Sequence, residues 1–208
     1  MTITLEKTIA ITPEPLPTQR MVIAGSWEQF ELLQQGFAQS KRVRLSYYDG
    51  TIEIIIPGQV HELFKKIIAM MVEAYLLDRG LEFLPTGSMT QKVDEVAAAE
   101  ADESYVVGEF RLSIELCLCY ANEVTVTSSD DSKLQIYKAL GVNEVWFWED
   151  GVLEIHHLID GEYDRVQSSQ IPELSGIDRA VLAKCVLMGE TSRVQAIGAF
   201  RSAHPLIG

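Results

Sequence analysis

The stretch "NEVTVTSSDDSKLQIYKALGVNEVWFWEDG", residues 122–151, decides the fold class of this chain. Two β-prone runs flank a polar break and a segment, residues 131–140, whose apolar side chains recur at helical spacing. The stretch therefore predicts a strand, a helix and a second strand. Glu123 lies inside the first strand and Lys133 lies near the start of the helix. These two charged side chains are either solvated or placed for chemistry.

Two clear local signals precede this stretch. Ser26 and Gln29 form a capping-box pattern at the start of a helix that we expect to end near Gly36. Asp49 and Gly50 separate two β-prone runs and suit the positive φ angles of a tight turn, so they predict a β-hairpin.

The remaining segments complete an α/β pattern. A long helix is predicted from about residue 60 to Gly80, with His61 and Glu62 at its start. The other predicted segments are short strands near residues 81–85, 88–93 and 103–107, a loop of polar or small residues at 94–99, a β-meander after residue 144 with turns at 150–151 and 160–161, and a mostly helical tail from about residue 173. We expect residues 1–20 to form an N-terminal arm and residues 21–208 to form one α/β domain with a mixed β-sheet.

The composition is typical of a folded globular protein. The chain has 208 residues, of which 47% are hydrophobic and 23% are charged. It contains no apolar run near the roughly 18 residues of a membrane span, and its first residues lack the pattern of a secretory signal. An odd number of cysteines, three, favours reduced thiols over a disulfide framework. We therefore expect a cytoplasmic protein without membrane contact.

The net charge argues mildly against a nucleic-acid partner. It is −13 at pH 7, whereas binding to a phosphate backbone is driven mostly by Lys and Arg. The argument is mild because a site that holds divalent cations is itself acidic.

Several acids lie where their local structure does not require a charge. Glu62 opens a helix, Asp102 precedes a β-run, and Glu123 lies within one, ten residues before Lys133. Strand and helix starts can converge on one cleft at a sheet edge, where carboxylates hold Mg²⁺ and a lysine neutralises developing charge. Acids in first helical turns and on exposed strand faces are nevertheless ordinary. From the residues alone, solvated acids remain the favoured interpretation.

Four segments resemble the Uma-type endonuclease family, which is abundant in cyanobacteria and belongs to the PD-(D/E)xK superfamily. The segments are "LSYYDGTIEIIIPGQVHE" (45–62), "GSMTQK" (87–92), "EADESYVV" (100–107) and "DSKLQIYKALGVNEVWFWEDG" (131–151). The resemblance runs from about residue 25 to residue 160. It implies a restriction-endonuclease-like core, a central mixed β-sheet flanked by helices, with an antiparallel hairpin and meander extension.

The resemblance also implies a divalent-metal site, with Mg²⁺ as the expected ion and Mn²⁺ as an alternative. The metal-binding acids of the family fall on Glu62, Asp102 and Glu123. Glu115 lies in another strand-like run and is the second choice for the position of Glu123. Glu103 should point to the face opposite Asp102 and be solvated.

The lysine of the family motif is displaced in this chain. Thr125 occupies the lysine position of the Glu-x-Lys motif, and Ala101 stands where the family often has proline. Lysines that migrate to a neighbouring element are common in this superfamily, and Lys133 is the natural candidate. Gln91 and Lys92 are the alternatives.

The resemblance implies a metal-dependent endonuclease that hydrolyses DNA and acts as a homodimer. Glu62, Asp102, Glu123 and Lys133 would carry the chemistry. Two alternatives stay open: a catalytically inactive binding module, favoured by Thr125 and the acidic charge, and a metal-dependent hydrolase of a small phosphorylated substrate.

Overall fold

The computed structural model describes residues 16–40, 42–108, 112–118 and 129–206, with the backbone alone for residues 112–118 and 129–131. The five described helices are α1 (Trp27–Phe37), α2 (Gln59–Asp78), α3 (Ser129–Leu140), α4 (Arg179–Thr191) and α5 (Arg193–Ala203). The eleven described strands are β1 (Gln19–Ala24), β2 (Arg44–Tyr48), β3 (Thr51–Ile56), β4 (Phe83–Pro85), β5 (Thr90–Val93), β6 (Ala97–Glu100), β7 (Glu103–Val107), β8 (Leu112–Leu118), β9 (Glu144–Glu149), β10 (Val152–Ile159) and β11 (Glu162–Val166).

The first sheet is antiparallel and has the order β1-β3-β2-β6-β5. Its centre is the predicted hairpin of β2 and β3. Asp49 and Gly50 adopt φ angles of 44° and 71°, which is the left-handed conformation that a two-residue turn requires. The hairpin prediction is confirmed.

The second sheet is mixed and has the order β11-β10-β9-β8-β7-β4. β8 and β9 are parallel, with α3 between them in the chain, while the other neighbouring pairs are antiparallel. The meander of β9, β10 and β11 turns at Asp150–Gly151 and Asp160–Gly161, as predicted. The mixed sheet predicted from the sequence is therefore confirmed.

Helices cover both faces of the second sheet. α2, α4 and α5 pack together over one face, where Trp146 and Trp148 of β9 are almost fully buried. α3 packs against Val145 and Phe147 on the other face and also contacts β6 of the first sheet. α3 thus lies between the two sheets and joins them into one packed structure.

α1 covers the first sheet in the way its sequence predicts. The Ser26 hydroxyl accepts a hydrogen bond from the Gln29 N–H, and the Gln29 side chain accepts one from the Ser26 N–H, so both halves of the capping box form. Trp27 and Phe30 then pack against Tyr47 of β2.

The loop predicted at residues 94–99 is wrong, because β6 occupies Ala97–Glu100 between β2 and β5 of the first sheet. Alanine has a low strand propensity, so the segment carries no local strand signal. Tertiary packing provides the reason. Ala97 and Ala99 pack under α3, and Ala98 packs on the opposite face among the residues beneath α1. Small side chains allow elements to approach both faces of this strand.

The first described strand, β1, begins at Gln19, inside the predicted arm of residues 1–20. Among the described helices, none combines the length and apolar character needed to cross a membrane.

Overpacking at Ala98 tests the role of β6. Ala98 is fully buried, so Ala98→Leu should lower the free energy of unfolding by about 1–3 kcal/mol, measured by urea denaturation. Ala203→Leu, at the exposed end of α5, is the matched control and should change it by less than about 0.5 kcal/mol. Equal effects of the two substitutions would contradict the close packing assigned to β6.

Candidate active site

The start of α2 is fixed by the segment that precedes β1. The N–H of Gly58 donates to the Thr18 hydroxyl at 3.0 Å, and the N–H of Gln59 donates to the Leu16 carbonyl at 3.2 Å. A side chain on Gly58 would lie 2.5 Å from the Leu16 carbonyl oxygen, so this close approach requires glycine. The contacts hold the first turn of α2, with His61 and Glu62, at a defined place.

Asp102 lies where the chain passes from one sheet to the other. β6 of the first sheet ends at Glu100 and β7 of the second begins at Glu103, so Ala101 and Asp102 form the whole connection. Asp102 is 8% exposed, and its Oδ1 lies 2.7 Å from Nε2 of His61. The contact joins the connection between the sheets to the first turn of α2.

His61 holds this carboxylate from a buried position. The residue is 4% exposed, and its other ring nitrogen, Nδ1, is buried without a hydrogen-bond partner among the described residues. Because a carboxylate accepts hydrogen bonds, Nε2 of a neutral ring must carry the proton, and Nδ1 is then an unpaired acceptor. A buried polar atom without a partner is a feature of functional sites as well as of water sites.

Glu62 and Lys65 form an ion pair beside this contact. Oε2 of Glu62 lies 3.5 Å from Nζ of Lys65. The Glu62 side chain is 43% exposed, whereas the Lys65 side chain is 7% exposed. Lys65 follows His61 by four residues, so both side chains lie on the same buried side of α2. The first two turns of α2 thus carry an imidazole, a carboxylate and an ammonium, of which the imidazole of His61 contacts Asp102.

The prediction that Glu103 is solvated is wrong. Glu103 is buried, and its Oε2 lies 3.3 Å from Nζ of Lys66. It lies near Tyr105, whose hydroxyl donates to Glu73 of α2 at 3.2 Å. Burial, together with the negative charges of Glu73 and Glu103, raises the pKa of Tyr105 above its ordinary value. Asp102 and Glu103 both contact α2, through His61 and Lys66, so α2 rather than water covers the side of β7 on which Glu103 lies.

Glu123 lies outside the described residues, in the segment 119–128 between β8 and α3. Glu115 lies in β8, where its backbone pairs with Ser104 of β7 and Val145 of β9. The backbone register therefore places Glu115 two residues along the ladder from Asp102, while the predicted role of Glu123 stays a prediction.

The predicted lysines lie on other elements. Lys133 is a half-buried residue of α3, which packs on the opposite face of the second sheet from α2. Lys92 of β5 forms ion pairs with Asp94 at 3.2 Å and with Glu31 at 3.9 Å. Gln91 also lies on β5, in the first sheet. Asp102 contacts His61 of α2.

The carboxylates at the predicted positions have the chemistry that a hard divalent cation prefers, and Asp102 is the one of them whose contact with His61 is described. Asp102 and Glu62 are carboxylates, which Mg²⁺ prefers. Among residues with described side chains, no group of three His, Cys, Asp or Glu residues is close enough to hold a metal. The donor chemistry therefore fits Mg²⁺ if Glu62 and Glu123 join Asp102.

Sequence analysis did not assign roles to His61 and Lys65. Both lie on the buried side of α2 at a spacing of four residues, a pattern that interrupts an otherwise apolar helix face. A pair of ionisable residues on a core-facing stripe is the signal that could have identified them.

Substitution of Asp102 tests the contact with His61. Asp102→Ala should lower the free energy of unfolding by about 1–3 kcal/mol, because it leaves a buried imidazole without a partner. Asp102→Asn is the matched control and should cost less, since its amide oxygen can still accept from Nε2. Chemical denaturation of both variants measures the difference. An alanine variant as stable as the asparagine variant would contradict this hydrogen bond.

Comparison with known proteins supports the resemblance seen in the sequence. No curated protein matches the chain. The family model named Uma2, described as "Putative restriction endonuclease", matches residues 27–182. The match covers most of the chain and includes α2, Asp102 and the segment with Glu123. The chain therefore belongs to the Uma2 family, and its mixed sheet flanked by helices is consistent with a restriction-endonuclease-like fold.

Proposed function

We propose that this protein is a Mg²⁺-dependent endonuclease that hydrolyses phosphodiester bonds in DNA. One observation carries the proposal: Asp102, at the position of the family's motif aspartate, is buried at the connection between two sheets and hydrogen-bonded to His61 beside Glu62. Burying a carboxylate costs free energy that a solvated surface acid does not incur. This placement favours chemistry over the solvated alternative.

Asp102, Glu123 and Glu62 would hold the metal ion, Mg²⁺ or in its place Mn²⁺. When bound, such an ion polarises a phosphoryl oxygen and lowers the pKa of a coordinated water. Within the protein, His61 fixes the orientation of the Asp102 carboxylate by donating to its Oδ1. The Glu62 side chain is 43% exposed, so its carboxylate is accessible to solvent and to a substrate.

The protein's residues assist a simple hydrolysis. A water molecule attacks phosphorus, the bond to one ester oxygen breaks, the hydroxyl stays on the phosphate, and the proton passes to the departing oxygen. Glu62 orients the attacking water, and Lys133 is the electrostatic partner that the family pattern suggests for the phosphate charge.

The net charge of −13 favours a second function, hydrolysis of a small phosphorylated substrate by the same site. DNA offers many phosphates and needs many cationic contacts, whereas a small substrate needs few. Salt separates the two functions. Binding of a labelled DNA duplex in Ca²⁺ should weaken steeply between low and physiological salt if DNA is the substrate. The absence of DNA binding at low salt would favour the small substrate.

Metal binding tests the site itself. Calorimetry with Mg²⁺ and Mn²⁺ should show binding to the wild type, and Asp102→Ala combined with Glu123→Ala should weaken it by at least about tenfold, because two of three carboxylates are lost. Asp164→Ala combined with Glu190→Ala removes the same charge from exposed positions and is the control. A wild type that binds neither metal would overturn the catalytic assignment and favour the inactive binding module.

We also propose that two copies form a homodimer through β1. The other described sheet edges carry features that discourage pairing: Lys92 on β5, Pro85 on the three-residue β4, and charged residues along β11. All six residues of β1 are exposed, including Met21, Val22 and Ile23. Antiparallel pairing of β1 with its counterpart about a two-fold axis would join their open backbone edges and bring these apolar side chains next to one another.

A charge on β1 tests this dimer. Val22→Lys should convert the dimer to a monomer, because it brings like charges together across the two-fold axis; light scattering after size exclusion measures the mass. Val194→Lys, at an 85% exposed position of α5, is the control and should leave the mass unchanged. A monomeric wild type would refute the proposed dimer.

We also propose a cytoplasmic location. The chain would consist of an arm, residues 1–20, and one domain, residues 21–208. The buried, unpaired thiol of Cys185 is compatible with a reducing compartment.

A further inference from the structure

The end of α5 is held by a buried histidine that the proposed function does not use. His204 is the C-cap residue of α5 and is 8% exposed. The centroid of its ring lies 4.4 Å from that of Phe200 in α5 and 5.7 Å from that of Tyr75 in α2. Asp178, the N-cap residue of α4, contacts the same ring. The imidazole therefore lies where three helices meet.

Both ring nitrogens of His204 have main-chain partners, and the two partners have opposite requirements. Nδ1 lies 2.9 Å from the carbonyl oxygen of Phe200, which can only accept a hydrogen bond. Nε2 lies 3.0 Å from the main-chain nitrogen of Asp178, whose N–H can only donate. Nδ1 must therefore carry a proton and Nε2 must not. These contacts fit one form of the ring, the neutral imidazole protonated at Nδ1.

The charged groups next to this ring have partners of their own. From α2, Arg79 donates through Nη2 to the main-chain carbonyl of His204 at 3.0 Å, and its guanidinium carbon lies 3.6 Å from the centre of the Tyr75 ring. From the start of α4, the carboxylate of Asp178 accepts the N–H of Val181 at 2.9 Å. Arg79 thus brings a positive charge, not a negative one, to the main chain of His204.

Three further charged side chains belong to the same helices. Asp78 of α2 and Arg201 of α5 form a bidentate ion pair at 2.7 and 2.8 Å. Arg179, the first residue of α4, donates to the Gln167 side chain at 2.9 Å. Among the described contacts of the His204 ring, none is made by a carboxylate. A positive charge on this ring would therefore be buried without a compensating negative charge in contact with it.

Protonation of the ring is incompatible with these contacts. A second proton, on Nε2, would point at the N–H of Asp178 across 3.0 Å, so two donors would face each other. Free histidine takes up this proton at about pH 6.5. Below that pH, the separated state binds one more proton than the state that keeps the contacts, so acid favours separation. Above that pH the contacts keep their full stabilising effect.

We propose that His204 makes the attachment of α5 to the start of α4 sensitive to pH: the neutral ring holds the two helix ends together, and the protonated ring separates them. The change is local, because Ala196 and Phe200 of α5 are buried apolar residues that do not titrate. Separation frees the N–H of Asp178 and the residues from 204 to 206. The inference is independent of the proposed function, whose site lies at the opposite end of α2.

Hydrogen exchange at the Asp178 amide tests the proposal in the full chain. The protection factor of this amide, measured by NMR relative to a free amide, should fall by up to about tenfold per pH unit between about pH 6.5 and about pH 5. The reason is that separation of the helix ends takes up one proton. A wild-type protection factor that does not change over this range would overturn the proposal.

Two glutamine variants show whether His204 is the group that takes up the proton. In His204→Gln, the amide oxygen can accept from Asp178 and does not titrate, and the Phe200 carbonyl keeps the main-chain N–H of residue 204 at 3.1 Å. The protection factor should then not change with pH. His156→Gln is the matched control; it removes a histidine from β10 and should keep the wild-type pH dependence. An equal fall in His204→Gln and in the wild type would contradict the role of His204.

Nitrogen NMR of the wild-type ring keeps the proposal testable even if His204→Gln does not fold. At about pH 7.5 the ring proton should be on Nδ1, and proton uptake by Nε2 should occur over the same pH range as the loss of protection at Asp178. A neutral ring with its proton on Nε2, or a protonated ring beside an Asp178 amide of unchanged protection, would refute the inference. Neither result would affect the endonuclease proposal.

Discussion

The hydrogen bond between His61 and Asp102 is the interaction on which the candidate site depends. It joins a helix on one face of the second sheet to the two-residue connection between the sheets. Because that connection is so short, the position of Asp102 is set by two sheets at once. The start of α2 is fixed as well, by Leu16 and Thr18. A carboxylate held from several directions keeps its geometry without a bound ligand.

The secondary structure could be predicted wherever a local signal exists. The capping box of α1 needs Ser26 and Gln29 alone, and the hairpin turn needs Asp49 and Gly50 alone, so both were predictable. β6 was not, because a run of alanines gains its strand conformation from α1 and α3 packing on its two faces. Strand alternation likewise predicted a solvated Glu103 but could not show that α2 covers this side chain.

The site could be predicted only where a local signal marks a residue. Glu62 and Asp102 are marked by their places at a helix start and a strand start, and the family resemblance gives them a role. His61 could not be predicted as a partner of Asp102, because the two residues are 41 positions apart in the chain. The burial of His61 and Lys65 depends on which side of α2 faces the core. The net charge of −13 also does not predict the electrostatic potential at one site, because nearby charges determine that potential.

The contacts at the start of α2 have a consequence for the recognition of anions. In many phosphate-binding proteins, the exposed N–H groups at a helix start bind the anion. Here the N–H groups of Gly58 and Gln59 are already occupied by the Thr18 hydroxyl and the Leu16 carbonyl. These two main-chain donors cannot also serve an incoming anion while the contacts persist. An anion at this helix start is left with the next N–H groups, those of Val60 and His61, and with side chains, whose attraction is more easily screened by dissolved salt.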